Sequence, residues 1–251
     1  MARRPVVVAN WKMNGLQRDG VALAHAVVHG LPVLPAAAQV VICPPATLLA
    51  PIGAVLAGTG AALGGQDCHA KPSGAFTGDV AAAMLADLGC RYVIVGHSER
   101  RALHAEHDAM VCAKATAAHL AGLTAVICVG ESLADREAGR MLDIVTRQLD
   151  LCVPKAATPA NTIVAYEPVW AIGTGKVATP AEVAEIHGAM RGRLARQIAS
   201  GGDICLLYGG SVKPDNAASL LSLDDVDGAL VGGASLDAQQ FLAIAAQARL
   251  R

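Results

Sequence analysis

Aromatic side chains are scarce: 3% of the 251 residues, made up of two Trp, three Tyr and two Phe. Hydrophobic residues nevertheless reach 53%, so a core must be filled by Ala, Val, Leu and Ile, which suits helices packed closely on a parallel sheet. Charge is also sparse, at 16% of residues with a formal net charge of -1 and no long basic block. That removes the electrostatic footprint of a nucleic-acid binder and leaves a small solute as the expected partner. No apolar run approaches the roughly 18 residues that a membrane-spanning helix needs. The run Pro5 to Ala9 behind Arg3 and Arg4 is too short for the centre of a signal peptide and stops at Asn10, so a cytoplasmic location is expected. No two of the seven cysteines form a C-x-x-C pair, and an odd count cannot complete a disulfide framework. Reduced thiols are expected, with Cys43, Cys128 and Cys205 as small buried side chains inside β-branched runs.

What is present is a recurrence. Short apolar runs stand at Val6 to Ala9, Val40 to Cys43, Ala61 to Gly64, Tyr92 to Val95, Ala125 to Val129, Ile163 to Tyr166, Ile204 to Tyr208 and Ala229 to Val231. They are apolar almost throughout, as when both sheet faces are covered, and each gap can hold a crossover helix. Alternating βα units imply a parallel sheet, and the number of units together with chain length favours an α/β (β/α)8 barrel, eight parallel strands each followed by a helix. Thr179-Pro180-Ala181-Glu182 reads as a helix start, with a cap, a proline at the first helical position and an acid in the first turn. No composition shift divides the chain, so residues 1–251 are read as a single domain.

Polar and glycine residues gather directly after the runs: Asn10 and Lys12, Gln66 and Asp67, His97 to Glu99, Glu131, Glu167, Gly209 to Ser211, Gly232 and Gly233. In a parallel barrel these share the rim at the C-terminal strand ends, where barrel enzymes place their sites. Glycines after the seventh and eighth strands can bring backbone N–H groups against an anion, which reads as a phosphate cradle; either pair alone would serve equally as a tight turn. Residues Pro168 to Ala178 read as a lid, opened by a proline and closed by the Thr179 cap. Within it, Gly173-Thr174-Gly175-Lys176 fails as a nucleotide motif: five residues part it from the strand, Trp170 stands at the first Walker glycine and Val177 at the hydroxyl position.

The segments Ala9-Asn10-Trp11-Lys12-Met13-Asn14, Gly96-His97-Ser98-Glu99-Arg100-Arg101, Ala165-Tyr166-Glu167-Pro168-Val169-Trp170 and Tyr208-Gly209-Gly210-Ser211 resemble the signature segments of the triosephosphate isomerase family. Gly74-Ala75-Phe76-Thr77-Gly78 and Ala229-Leu230-Val231-Gly232-Gly233 match it in order and spacing, so the resemblance runs nearly end to end. It implies interconversion of dihydroxyacetone phosphate and glyceraldehyde 3-phosphate through an enediolate, in glycolysis and gluconeogenesis, with no cofactor and no metal.

By the same resemblance Glu167 is the base, His97 acts as a neutral imidazole, and Lys12 and Asn10 stabilise developing negative charge. Glu99 pairs with Lys12, Ser98 and Cys128 support the base, and backbone N–H groups of Gly173, Ser211, Gly232 and Gly233 hold phosphate. Glu131 takes a supporting place on the rim. A homodimer formed through the loop from Gly65 to Asp79 is implied, with Thr77 reaching the neighbouring site; Asp67 and Asp79 depart from the family's usual asparagine and glutamate. His104, Glu106, His107 and Asp108 read as a solvated helix start in preference to a metal site. Two rivals stay open: a Schiff-base aldolase using Lys12, and a catalytically silent phosphate-binding barrel.

Overall fold

The computed structural model describes residues 3–34, 38–172 and 177–250. Eight strands, β1 (Val6–Asn10), β2 (Gln39–Cys43), β3 (Ala62–Gly65), β4 (Cys90–Val95), β5 (Thr124–Val129), β6 (Thr162–Tyr166), β7 (Cys205–Tyr208) and β8 (Gly228–Val231), pair in parallel around a closed barrel. Closure is made at β1, where Val6 stands opposite Gln39 on one side and Gly228 on the other.

The uninterrupted apolar character of the strands follows from closure. Alternate residues such as Val6, Val8, Val41, Cys43, Ile94, Val126, Cys128, Ala165 and Leu207 fill the barrel interior. Their neighbours Val7, Ala9, Val40, Ile42, Val93, Val95, Ile127, Val164 and Leu206 pack outward into the larger core beneath the helices. Cys43, Cys128 and Cys205 are free thiols facing inward, and burial pushes all three up, which leaves them unreactive.

β4 begins at Cys90, two residues ahead of the apolar run read from the sequence. Exposed Arg91 interrupts the pattern there while the backbone still pairs with β3 across a register shift at Leu63 and Gly64. Among the described residues the helices are α1 (Gln17–Gly30), α2 (Leu49–Leu56), α3 (Ala82–Asp87), α4 (Ser98–Leu103), α5 (Asp108–Leu120), α6 (Leu133–Glu137), α7 (Met141–Cys152), α8 (Pro180–Gln197), α9 (Pro214–Leu221) and α10 (Ala238–Ala245). Helix α8 starts at a reciprocal capping box: the Thr179 hydroxyl accepts from the Glu182 N–H and Glu182 Oε2 accepts from the Thr179 N–H at 2.7 Å.

The start of α5 corrects the sequence reading. His107 does cap the helix, accepting from the Met110 N–H. Glu106 is buried instead of solvated, because its Oε1 takes both Lys114 Nζ at 2.5 Å and Arg100 Nε at 2.6 Å. Lys114 lies eight residues later on the inner face of α5, a pairing that the composition of the helix start does not reveal.

The seam between β7, β8 and β1 is tied by Asp227, whose buried carboxylate accepts from Arg3 Nε at 2.7 Å, Arg191 Nη2 at 2.5 Å and the Leu206 N–H at 2.9 Å. Next to it Gly228 lies at φ +156, where a Cβ would stand 1.9 Å from the Val6 carbonyl oxygen, so no larger residue fits the closing strand pair.

On the outer side of β6, His187 of α8 is fully buried, its Nδ1 on the Asp225 carbonyl at 2.9 Å and its ring edge-on to Tyr166. Burial pushes its pKa down to about 4. Below pH ~6.5 the unfolded chain takes up a proton that the folded chain refuses until pH 4 is approached, so stability falls with pH across that window by on the order of 3 kcal/mol. His187→Asn keeps a donor for Asp225 and cannot titrate. Urea midpoints at about pH 7 and about pH 4.5 should therefore differ less in the variant than in the parent; an equal difference in both would remove His187 from the acid response.

Candidate active site

At the rim, β1 ends in Asn10, whose Oδ1 accepts the Lys12 N–H at 3.1 Å. Lys12 itself occupies the left-handed region at φ 53, a conformation costly for a side-chain-bearing residue unless its surroundings impose it. Gln66, just past β3, supplies part of that constraint by donating Nε2 to the Lys12 carbonyl at 2.8 Å and to the Cys43 carbonyl at 2.9 Å. The Lys12 ammonium then reaches across the barrel mouth to an ion pair with Glu99 Oε1.

His97 follows β4 and caps α4: its Nδ1 accepts the Glu99 N–H at 3.2 Å, so in the neutral ring the proton sits on Nε2. That nitrogen lies 3.0 Å from Oε1 of Glu167, the residue directly after β6. Glu167 is buried, and its Oε2 accepts the Ser98 N–H at 2.9 Å while the Ser98 hydroxyl lies 3.3 Å from Oε1. The Cys128 side chain lies inside the barrel and also favours the ionised form of that carboxylate. Burial works to raise the Glu167 pKa, but His97, the Ser98 N–H and Cys128 together outweigh it and hold the carboxyl below its ordinary value. For His97 burial opposes the charge and the Glu167 carboxylate favours it more strongly, so the pair is drawn towards an ionic contact.

Two glycines keep this arrangement open. A Cβ on Gly209 would come within 3.0 Å of Glu167 Cγ, and one on Gly232 within 3.2 Å of Lys12 Cε. Gly232 and Gly233 lead into a 3-10 turn at Gly233–Leu236, so backbone N–H groups there lack helical acceptors. The result is a cavity of about 490 Å³ lined by Asn10, Lys12, His97, Glu167, Ser211 and the Gly232 to Ala234 segment, among others.

A second polar cluster holds the stretch after Glu167. Glu131 Oε1 is fully buried and accepts from Tyr166 Oη at 3.0 Å, Trp170 Nε1 at 2.8 Å and Arg136 Nη1 at 3.2 Å. Arg136 also stacks on Trp170 and pairs with Glu182 at 2.5 Å, so one guanidinium touches anchors on both sides of the 168–178 segment.

The structure therefore brings Asn10, Lys12, His97, Glu167, Ser211, Gly232 and Gly233 to one cavity, sets Ser98 and Cys128 against Glu167, and pairs Glu99 with Lys12. Thr77 is on an exposed loop and does not line that cavity. Gly173, with the centre of the expected lid, lies outside the described residues.

Sequence reasoning assigned no role to Gln148, which clamps both polar groups of the Gly130 peptide beside Glu167, accepting at 2.7 Å and donating at 3.2 Å. Its one signal was a polar residue on the face of α7 otherwise made by Val145, Leu149 and Cys152.

Residues 5–248 match the family model for triosephosphate isomerase. Triosephosphate isomerase of Afipia carboxidovorans is 55% identical over 243 residues, 96% of each chain, and that of Ruegeria sp. is 56% identical over 242 residues, again 96% of each. The crystal structure of triosephosphate isomerase from Bartonella henselae superposes with a TM-score of 0.89 at 47% identity, covering 96% of this chain and 97% of that one. Sequence, architecture and the convergence of polar residues on one rim thus agree, and the chain belongs to the triosephosphate isomerase family.

Proposed function

We propose that this chain interconverts dihydroxyacetone phosphate and D-glyceraldehyde 3-phosphate, moving one proton between neighbouring carbons through an enediolate, as a step of glycolysis and gluconeogenesis in the cytoplasm. The observation that carries this reading is the buried Glu167 carboxylate in contact with His97 at a cavity shared by Lys12 and the glycine segments after β7 and β8. The whole chain acts as one barrel domain.

Glu167 removes the proton. A substrate carbon lodged between Glu167 and His97 parts the pair; the carboxylate then loses its strongest stabilising partner, and burial raises its basicity where the proton must be taken. His97, parted from the carboxylate, is held neutral by burial and by the Glu99 N–H on Nδ1, and its Nε2–H is free to donate to a developing oxyanion. Lys12 supplies a point charge to the same oxygens and to phosphate, with Glu99 and Asn10 holding its position. Backbone N–H groups of Ser211, Gly232 and Gly233, joined by Gly173, hold the phosphate, and excluding water preserves the enediolate from losing it.

Glu99 on Lys12 and the contact of His97 with Glu167 favour this reading over a Schiff-base aldolase, because Glu99 occupies the nitrogen that such a lysine would have to turn onto a carbonyl carbon. A second copy of the chain completes the assembly. Met13 and Leu103 are 94% and 78% exposed at the lining of a depression next to Lys12, and Phe76 of the 65–79 loop is 41% exposed, offering apolar surface on both parts for a reciprocal contact that carries Thr77 to the neighbouring site.

Three outcomes follow. Glyceraldehyde 3-phosphate should be converted without added cofactor or metal, and Glu167→Ala should lower kcat by roughly 10²- to 10⁴-fold while its circular dichroism and phosphate affinity stay at parent values; loss of folding would make Glu167 structural. Borohydride added during turnover should leave Lys12 unmodified by mass spectrometry, and a reduced adduct would establish the aldolase chemistry. Light scattering at micromolar concentration should give twice the chain mass of 25.5 kDa, and a monomer would refute the dimer.

A further inference from the structure

Arg101 has no place in the chemistry just described, yet every nitrogen of its guanidinium is engaged beside the site. Nε donates to the Gly96 carbonyl at 2.8 Å, Nη2 to the Cys128 carbonyl at 3.1 Å and to Cys152 Sγ at 3.2 Å, and Nη1 to Asp108 Oδ1 at 2.7 Å. Gly96 immediately precedes His97, and Cys128 immediately precedes Val129, whose carbonyl accepts the Glu167 N–H at 2.8 Å. One planar fork therefore spans the C-terminal ends of β4 and β5, the strands that deliver the electrophile and the support beneath the base.

The approach is close. Gly96 takes a left-handed φ of +70, and a Cβ there would press on Val111 at 2.7 Å and on Arg101 Nη2 at 3.2 Å. Asp108 fixes the other edge of the guanidinium, and the buried Cys152 thiol donates to Asp108 Oδ1 at 3.3 Å while accepting from Arg101, which orients the pair without adding charge. A lysine could satisfy either carbonyl but not both, because it lacks the planar spacing of two donors.

Resting on the isomerase reading, we infer that Arg101 is a positioning residue for catalysis: by bridging the Gly96 and Cys128 carbonyls it sets the separation of His97 from Glu167. Asp108 and Cys152 set the guanidinium. The glycine segments that would hold phosphate follow β7 and β8, away from the β4 and β5 ends that Arg101 bridges, so loss of the bridge affects the proton-transfer geometry and leaves phosphate binding in place. Displacements of about 1 Å in a reacting pair cost up to about 10²-fold in rate.

The test is steady-state kinetics of the full-length enzyme and its Arg101→Lys and Asp108→Asn variants, with thermal unfolding recorded for each. Parental turnover of glyceraldehyde 3-phosphate checks the isomerase reading on its own. Given that turnover, Arg101→Lys should lose at least about tenfold in kcat with KM within about twofold, and Asp108→Asn should show a smaller loss of the same kind. Partial recovery of an Arg101→Ala variant by guanidinium at concentrations well below denaturing would add direct support. Folded Arg101→Lys with parental kcat overturns the inference, as does a rise in KM at constant kcat. If Arg101→Lys does not fold, Asp108→Asn decides: reduced kcat at parental KM upholds the bridge, and parental kcat refutes it.

Discussion

A carboxylate that is buried and still ionised is the constraint on which the rest of the rim depends. Removing an unpaired carboxylate from water costs several kcal/mol, and Glu167 offsets that cost with His97 Nε2, the Ser98 N–H and the Cys128 side chain. These groups come from β4 and β5, whereas Glu167 follows β6, so the charge is tolerated only if three strand ends keep their spacing. Closed hydrogen-bonding around the barrel provides the coarse spacing, and side chains from α4 and α7 refine it: Arg101 at the Gly96 and Cys128 carbonyls, Gln148 at the Gly130 peptide.

The same charge is placed so that it can be released from its stabilisation. Its largest favourable partner, His97, faces the cavity instead of the core behind it, so an entering molecule competes with that contact and with no other. Lys12 is arranged on similar terms. Its backbone is held in an unfavourable conformation by Asn10 and Gln66, while its ammonium rests on Glu99, a partly exposed partner of modest strength. Glu167 and Lys12 thus both have hydrogen-bonded backbones and side-chain contacts at the cavity surface, where a bound molecule can exchange them.

Much of the architecture was legible because each strand is covered on two faces. An inward Val8 and an outward Val7 are both apolar, so the runs stand out from the polar helix surfaces between them. The capping box at Thr179 was legible for a different reason: all of its atoms lie within four residues. Glu106 was misread because its partners, Lys114 and Arg100, meet it only once α4 and α5 have packed, and four residues of polar sequence look the same whether solvated or paired. Arg101, Arg136 and Gln148 were silent for the same reason, being ordinary helix residues until the barrel brings strand ends beneath them.

The sequence by itself determined the eight alternating units, the rim on which the polar residues gather, and the family to which the signature segments belong, since all of these are carried by local pattern and by short motifs. Beyond the Glu99–Lys12 pair and the support of Ser98 for Glu167, which the resemblance implied, the tertiary structure alone decided which polar groups are spent on one another. Glu131 and Trp170 are separated by 39 positions and Arg191 and Asp227 by 36, and nothing in local periodicity orients such side chains. Their directions follow from how the helices and the loops at the strand ends pack on the closed barrel, which brings together segments far apart in sequence.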